Sequence, residues 1–236
     1  MSVIKEYAWE FKGKQYSIQF DLSDATYQQY GLRPNRHNPT QKLEDYYERI
    51  ISPNDNDKTM LMVTAQLMTK AGLNGMDSFD EKLEFIVGFV QNAIKTDDSK
   101  AQEAIIAGTG RPNCPYETLY SKKGICIDKS LLLIALIRNT GYYGSCLLYY
   151  PNAFGKVPHT AVGIQCPIGY SLYNSGFCYA ETMMELPIGL MPKVNNNGVL
   201  EKSISTGLFT GCHTNFGKVK TLLIMDGTKE YVPCKR

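Results

Sequence analysis

The chain has 236 residues, 43% of them hydrophobic and 20% charged, and a formal net charge of +2. That length suits one sizeable globular unit with a small appended element, and the weak, dispersed positive charge gives no footprint for nucleic acid or an anionic membrane. Met1 to Glu6 lack the apolar core of a signal peptide and no run of about 18 apolar residues occurs, so a cytoplasmic protein without a membrane span is expected.

Tyr7, Trp9 and Phe11 alternate with polar residues, as do Tyr16, Ile18, Phe20 and Leu22, on either side of Lys12-Gly13-Lys14. A period of two flanking a glycine turn predicts a β-hairpin with one aromatic face. The polar, proline-bearing stretch from Gly31 to Pro39 reads as a surface link. Residues 1–40 are therefore expected to form a hairpin and linker packed on a main domain of residues 41–236.

Three helices are expected next. A short one covers Lys42 to Ile50, and a second runs from about Asp57 to Lys70 with Met60, Leu61, Thr64, Leu67, Met68 and Ala71 on one face. The third opens at Ser78, three residues before Glu81, the spacing at which each side chain satisfies an orphan amide of the helix start. Phe79, Leu83, Ile86, Val87, Val90 and Ile94 then recur at helical spacing, and such stripes read as core. From Thr96 to about Pro115 the chain is polar and reads as loop. Gly108-Thr109-Gly110-Arg111 within it lacks the lysine spacing of a phosphate-binding loop.

Lys129 to Arg138 is apolar nearly all round between Leu131 and Ile137, which predicts a central buried helix. Gly141 is available to end it in the left-handed conformation. Strands are expected at Ser145–Tyr150, Thr160–Gln165, Phe177–Thr182 and Val219–Met225, with a loop at Asn195 to Gly198. Helices followed by strands, with no repeat, point to an α+β fold.

Seven cysteines are widely spaced with no Cys-x-x-Cys, which argues against a zinc ribbon and leaves most thiols as small core residues. Cys126 differs because it stands at the mouth of the buried helix, where free amides and the helix dipole stabilise a thiolate. Lys122, Lys123 and Lys129 are close in sequence. Position alone weighs a reactive thiol and a core cysteine equally. Of three histidines, His37 lies in the polar link, and His213 follows Cys212, where adjacent strand residues point apart and rarely share a metal ion. His159 opens a strand, and at a sheet rim it can face a helix start packed on that sheet. One strand later, Glu181 can take the other imidazole N–H and fix the ring. No metal or cofactor is expected.

Pro115-Tyr116-Glu117-Thr118-Leu119, Gly124-Ile125-Cys126-Ile127-Asp128-Lys129-Ser130, Gly141-Tyr142, His159-Thr160-Ala161-Val162-Gly163 and Tyr179-Ala180-Glu181-Thr182 stand in an order that resembles the transglutaminase-like superfamily, closest to its prokaryotic members. The likeness runs from Pro115 to Thr182. It extends more loosely to Phe89-Val90-Gln91-Asn92, the aromatic hairpin and Ile188 to Pro192. It implies a papain-like α+β core, helices on an antiparallel sheet, with Cys126 as nucleophile, His159 as general base then acid, and an acidic third member at Glu181.

The implied activity is thiol-dependent acyl transfer on a peptide or protein amide, as cysteine peptidase, amidase or cross-linking enzyme. The alternative is an inactive binding or scaffold domain of the same fold. Two departures bear on that choice: Ile125 and Ile127 flank the cysteine where relatives often carry an acidic or polar residue, and Glu181 replaces the commoner Asp, with Thr182 a possible substitute. Tyr116 or Tyr120 is a candidate second oxyanion donor beside the Cys126 amide. Asp128 either orients the helix start or the preceding loop, or is simply a favourable acid in a first turn.

Overall fold

The computed structural model describes residues 1–33, 37–38, 40–55, 58–107, 111–141, 144–154, 157–168, 171, 175–191, 193–194, 200–201 and 221–224. Cys212, His213, Gly108 to Gly110, Tyr142 and the loop at Asn195 to Gly198 fall outside them. In chain order the elements are β1 (Ser2–Phe11), β2 (Lys14–Ser23), α1 (Asp24–Gly31), α2 (Leu43–Asp55), α3 (Lys58–Leu73), α4 (Phe79–Ala93), β3 (Lys95–Thr96), α5 (Asp98–Ala107), α6 (Pro115–Ser121) and β4 (Lys123–Gly124). There follow α7 (Cys126–Thr140), β5 (Ser145–Phe154), β6 (Val157–Gln165), β7 (Phe177–Ala180), β8 (Lys193–Val194), β9 (Leu200–Glu201) and β10 (Thr221–Ile224).

The expected hairpin is present. β1 and β2 pair antiparallel with Phe11 opposite Lys14, across Lys12 and Gly13 at φ 49° and 75°. Two successive positive φ angles match the right-handed twist of the flanking strands. The aromatic face of the hairpin lies on α4: the Trp9 ring is 5.2 Å from Phe85 and 5.3 Å from Phe89, and Tyr16 meets Phe85 edge-on at 5.0 Å. Such pairs add about 0.5–1.5 kcal/mol each to the burial of their area. Gly88 permits the approach, since a Cβ there would stand 2.5 Å from Phe11 Cδ2. Gly88→Ala is expected to lower stability by about 1–3 kcal/mol, as overpacking does, read as a lower denaturation midpoint in urea.

The capping box at the start of α4 forms as its spacing predicts. Ser78 Oγ accepts the Glu81 N–H at 3.2 Å, and Glu81 Oε2 accepts the Ser78 N–H at 3.1 Å. Every side chain of α7 from Asp128 to Ile137 is buried. That helix packs on α2, α3, α4 and α6 and on strands β5 and β6, and ends with Gly141 at φ 73°. An antiparallel sheet in the order β10-β5-β6-β7 backs it. The resulting architecture is the α+β arrangement of helices on an antiparallel sheet that the sequence predicts.

Three local expectations are corrected. The polar stretch after Thr96 holds helix α5, and the loop expected around Pro115 is helix α6, started by Pro115 in its first turn with Glu117 Oε2 accepting the Cys114 N–H at 2.9 Å. A polar segment lacks the apolar stripe that announces a helix, but it can still be helical where tertiary contacts hold it. Cys166 and Cys178 are joined in a disulfide instead of being free core thiols, with their Cα atoms 5.8 Å apart.

Candidate active site

Cys126 is the first residue of α7 and is only half-buried, unlike the fully buried free thiols of Cys114 and Cys146. The helix mouth is shaped by Asp128, whose carboxyl is wholly buried. Its Oδ2 accepts the Ile125 N–H at 3.0 Å, its Oδ1 accepts the Asn113 N–H at 2.7 Å, and Lys100 Nζ from α5 donates to both oxygens at 2.8 and 2.7 Å. Burial lifts this carboxyl above its ordinary range, and the Lys100 charge with the two amides offsets only part of that. Asp128 thus ties the segment before α6 to the turn that carries the thiol, and goes beyond a first-turn acid interacting with the helix dipole.

His159 lies on β6 opposite Tyr150. Tyr179 pairs with Gly163 and Ala180 with Val162, so the next register step puts Glu181 opposite Ala161. Alternation then sets His159, Tyr179 and Glu181 on one face of the sheet, with His159 and Glu181 diagonal neighbours. His159 Nε2 donates to Glu181 Oε2 at 3.1 Å, and the Tyr179 hydroxyl donates to the same oxygen at 2.6 Å. Glu181 Oε1 accepts the N–H groups of Thr182 at 2.8 Å and Met183 at 2.9 Å. With Nε2 turned to the carboxylate, Nδ1 is the nitrogen left for the Cys126 thiol, which acts with Glu181 to raise the imidazole.

The electrostatics follow from this string of groups. Burial alone would raise the Cys126 thiol, but the neighbouring His159, together with the Thr160 amide, brings it below its ordinary value. Burial alone would lower His159, yet the Glu181 charge and hydrogen bond and the neighbouring Cys126 push it up. Burial would likewise raise Glu181, and His159, Tyr179 and the Met183 amide hold it well below the usual carboxylate range. The arrangement favours a thiolate beside an imidazolium, anchored by an ionised carboxylate.

Residues 63–171 match the family model of a transglutaminase-like domain. That stretch of the chain is similar to a transglutaminase-like domain. The match contains Cys126 and His159 and stops short of Tyr179 and Glu181. The chain is also similar to a solved structure, the crystal structure of a TGase, at 14% identity with a TM-score of 0.41, over 78% of this chain and 44% of that one. It thus spans less than half the length of that protein. No curated protein matches the chain.

Around this helix mouth, other residues singled out in the sequence fall elsewhere. Thr182 does not meet the imidazole; its hydroxyl lies 3.5 Å from Ser130 Oγ. The Tyr116 hydroxyl bridges the N–H and C=O of Ser23, at 2.7 and 3.1 Å, and Tyr120 donates to Asp24 at 2.9 Å, so both phenols serve the junction of β2 and α1 and not an oxyanion. Lys122 Nζ donates to the Glu6 carbonyl, Lys123 pairs with Asp97, and Lys129 is buried under α4. Ile125 precedes α7 as its cap, and Ile127 packs against the core.

Sequence reasoning gave no role to Tyr179, Thr160 or Tyr47. Tyr179 could have been found from its two-residue spacing to Glu181, which puts both on one strand face. Tyr47, on α2, is partly exposed and lies in electrostatic contact with Cys126; burial, Tyr46, Tyr149 and Cys126 together hold its phenol above the ordinary range. Nothing local in the sequence links α2 to the thiol. Among the described residues no group of three or more His, Cys, Asp and Glu side chains could hold a metal ion, and no helix is long and apolar enough to cross a membrane.

Proposed function

We propose that this protein is a thiol-dependent acyl-transfer enzyme acting on carboxamide groups of peptides or proteins, with Cys126 as nucleophile, His159 as acid–base and Glu181 as the orienting carboxylate. The observation that carries the reading is a cysteine at a helix start whose thiol the neighbouring His159 lowers, with that buried imidazole held in turn by the buried Glu181 carboxylate. The Cys126 sulfur attacks the amide carbonyl, forming a C–S bond, while the Cys126 N–H stabilises the oxyanion. His159 gives its proton to the leaving amine as the C–N bond breaks. The thioester is then resolved by water, or by a second amine whose proton His159 takes up.

The test is release of ammonia from glutamine-containing peptides, with and without an added primary amine, using Cys126→Ala as the control. Release above the control is expected, and incorporation of the amine distinguishes transfer from hydrolysis. If the wild type equals Cys126→Ala on every peptide while both bind them, the protein is the non-catalytic binding domain instead. The Cys166–Cys178 disulfide favours an oxidising compartment over the cytoplasm as the place where this chemistry occurs.

A further inference from the structure

Among the described residues Lys129 is the one buried lysine, 1% exposed, on the helical turn that begins at Cys126. Its Nζ donates to the Gln91 carbonyl at 3.2 Å and the Ile94 carbonyl at 2.9 Å, at the C-terminal end of α4, where a cation meets the negative end of the helix dipole. The Gln91 side chain, also buried, uses its Nε2 to hold the Glu181 carbonyl at 3.1 Å and the Leu186 carbonyl at 2.8 Å. One amide therefore fixes the backbone on both sides of the turn that bears the Glu181 carboxylate. A lysine without water around it is costly unless opposite charge is near. The charged groups facing Lys129 are Glu181 and, past the end of α4, Lys95.

We propose that Lys129 is a positioning residue for the acyl-transfer centre: through Gln91 it holds the Glu181 turn in place, and its buried positive charge balances the Glu181 carboxylate that keeps His159 protonated beside the thiolate. The inference rests on the proposed roles of Cys126, His159 and Glu181. The four buried or half-buried groups then carry two positive and two negative charges, so the ion pair at the thiol is embedded in a neutral set. Burial pulls Lys129 down to about 8, against the raising pull of Glu181, so this balance is itself sensitive to mild alkali.

The test is the pH profile of Cys126 alkylation by iodoacetamide, followed by mass spectrometry, in the wild type, Lys129→Met and Gln91→Leu. The groups facing Cys126 are His159, Tyr179 and Tyr47, and all three remain in both variants. Loss of the positioning link weakens the hold of Glu181 on His159, so less imidazolium is available to the sulfur. The midpoint of alkylation is expected to rise by about one pH unit in each variant, roughly tenfold slower labelling below the midpoint. A merely structural lysine would lower the thermal midpoint and leave the alkylation midpoint unmoved, and that result overturns the proposal. If Lys129→Met fails to fold by circular dichroism, Lys129→Gln decides, because it removes the charge and keeps an N–H donor at the Gln91 and Ile94 carbonyls, and an unmoved alkylation midpoint there overturns the proposal. If wild-type Cys126 labels no faster than the other thiols, the underlying catalytic reading falls instead, and this proposal with it.

Discussion

Replacement of His159 by Ala is expected to slow alkylation of Cys126 at neutral pH by about tenfold or more, since each unit of thiol pKa is a factor of ten in thiolate. The sulfur sits under opposed influences. Burial raises it, and the neighbouring His159 is the chief influence that brings it down. Without the imidazole only the Thr160 amide remains, burial prevails, and the thiolate forms only at higher pH. Acyl-transfer turnover should fall further, by about 10²–10⁴, because the leaving amine loses its proton donor. Mass spectrometry of partially alkylated protein reads the first effect directly. In the wild type Cys126 is expected to label ahead of Cys114 and Cys146, which are buried. Equal labelling of several thiols, or a His159→Ala profile that overlays the wild type, would falsify the activated pair.

Lys100→Met is the second substitution with a large expected effect, this time on stability. Removing one partner of a buried ion pair leaves the other charge uncompensated, at a cost of about 3–5 kcal/mol. Lys100 is the only cation bonded to Asp128 among the described residues, and the carboxyl has no exposure. The direction with pH follows from the raised Asp128 pKa. A group whose folded value lies above its unfolded value stabilises the fold while protonated, and that contribution is lost as pH rises through the folded value. Loss of Lys100 raises the folded value further, so the variant is weakest at neutral pH and recovers as Asp128 takes up a proton. Urea denaturation at pH 7 and pH 5 should show the gap to wild type narrowing at the lower pH. A gap equal at both would mean that Lys100 matters through packing of its stem alone. Because Asp128 holds the Ile125 and Asn113 amides, the same variant tests whether the helix mouth keeps its shape without a neutralising charge.

The parts of this protein legible in its sequence are those written in local period. Alternating Tyr7, Trp9 and Phe11 specified a strand face, Ser78 and Glu81 a helix start, Leu131 to Ile137 a buried helix and Gly141 its end. Each is decided by neighbours within a turn or two, so spacing alone carries the information. Cys126, His159 and Glu181 were also nominated from sequence, by a thiol at a helix mouth and an ordered set of motifs. Helix α5 was missed because residues 98–107 carry no marked apolar stripe, and its Lys100 is tied to Asp128, 28 positions away.

Tertiary structure alone decided which groups surround the three nominated residues. The β6–β7 register, and not the spacing of motifs, aligned Glu181 diagonally with His159 and brought the Tyr179 hydroxyl to the same carboxylate oxygen. Packing of α4 on α7 buried Lys129 and joined it through Gln91 to the Glu181 turn. Tyr116 and Tyr120, near Cys126 in sequence, were drawn instead to Ser23 and Asp24 by the docking of the hairpin and α1. The physical reason is the same in each case. A nucleophile's placement at a helix start is a local property of the chain, whereas the charges and donors that set its reactivity come from elements remote in sequence, and only their packing brings them within reach.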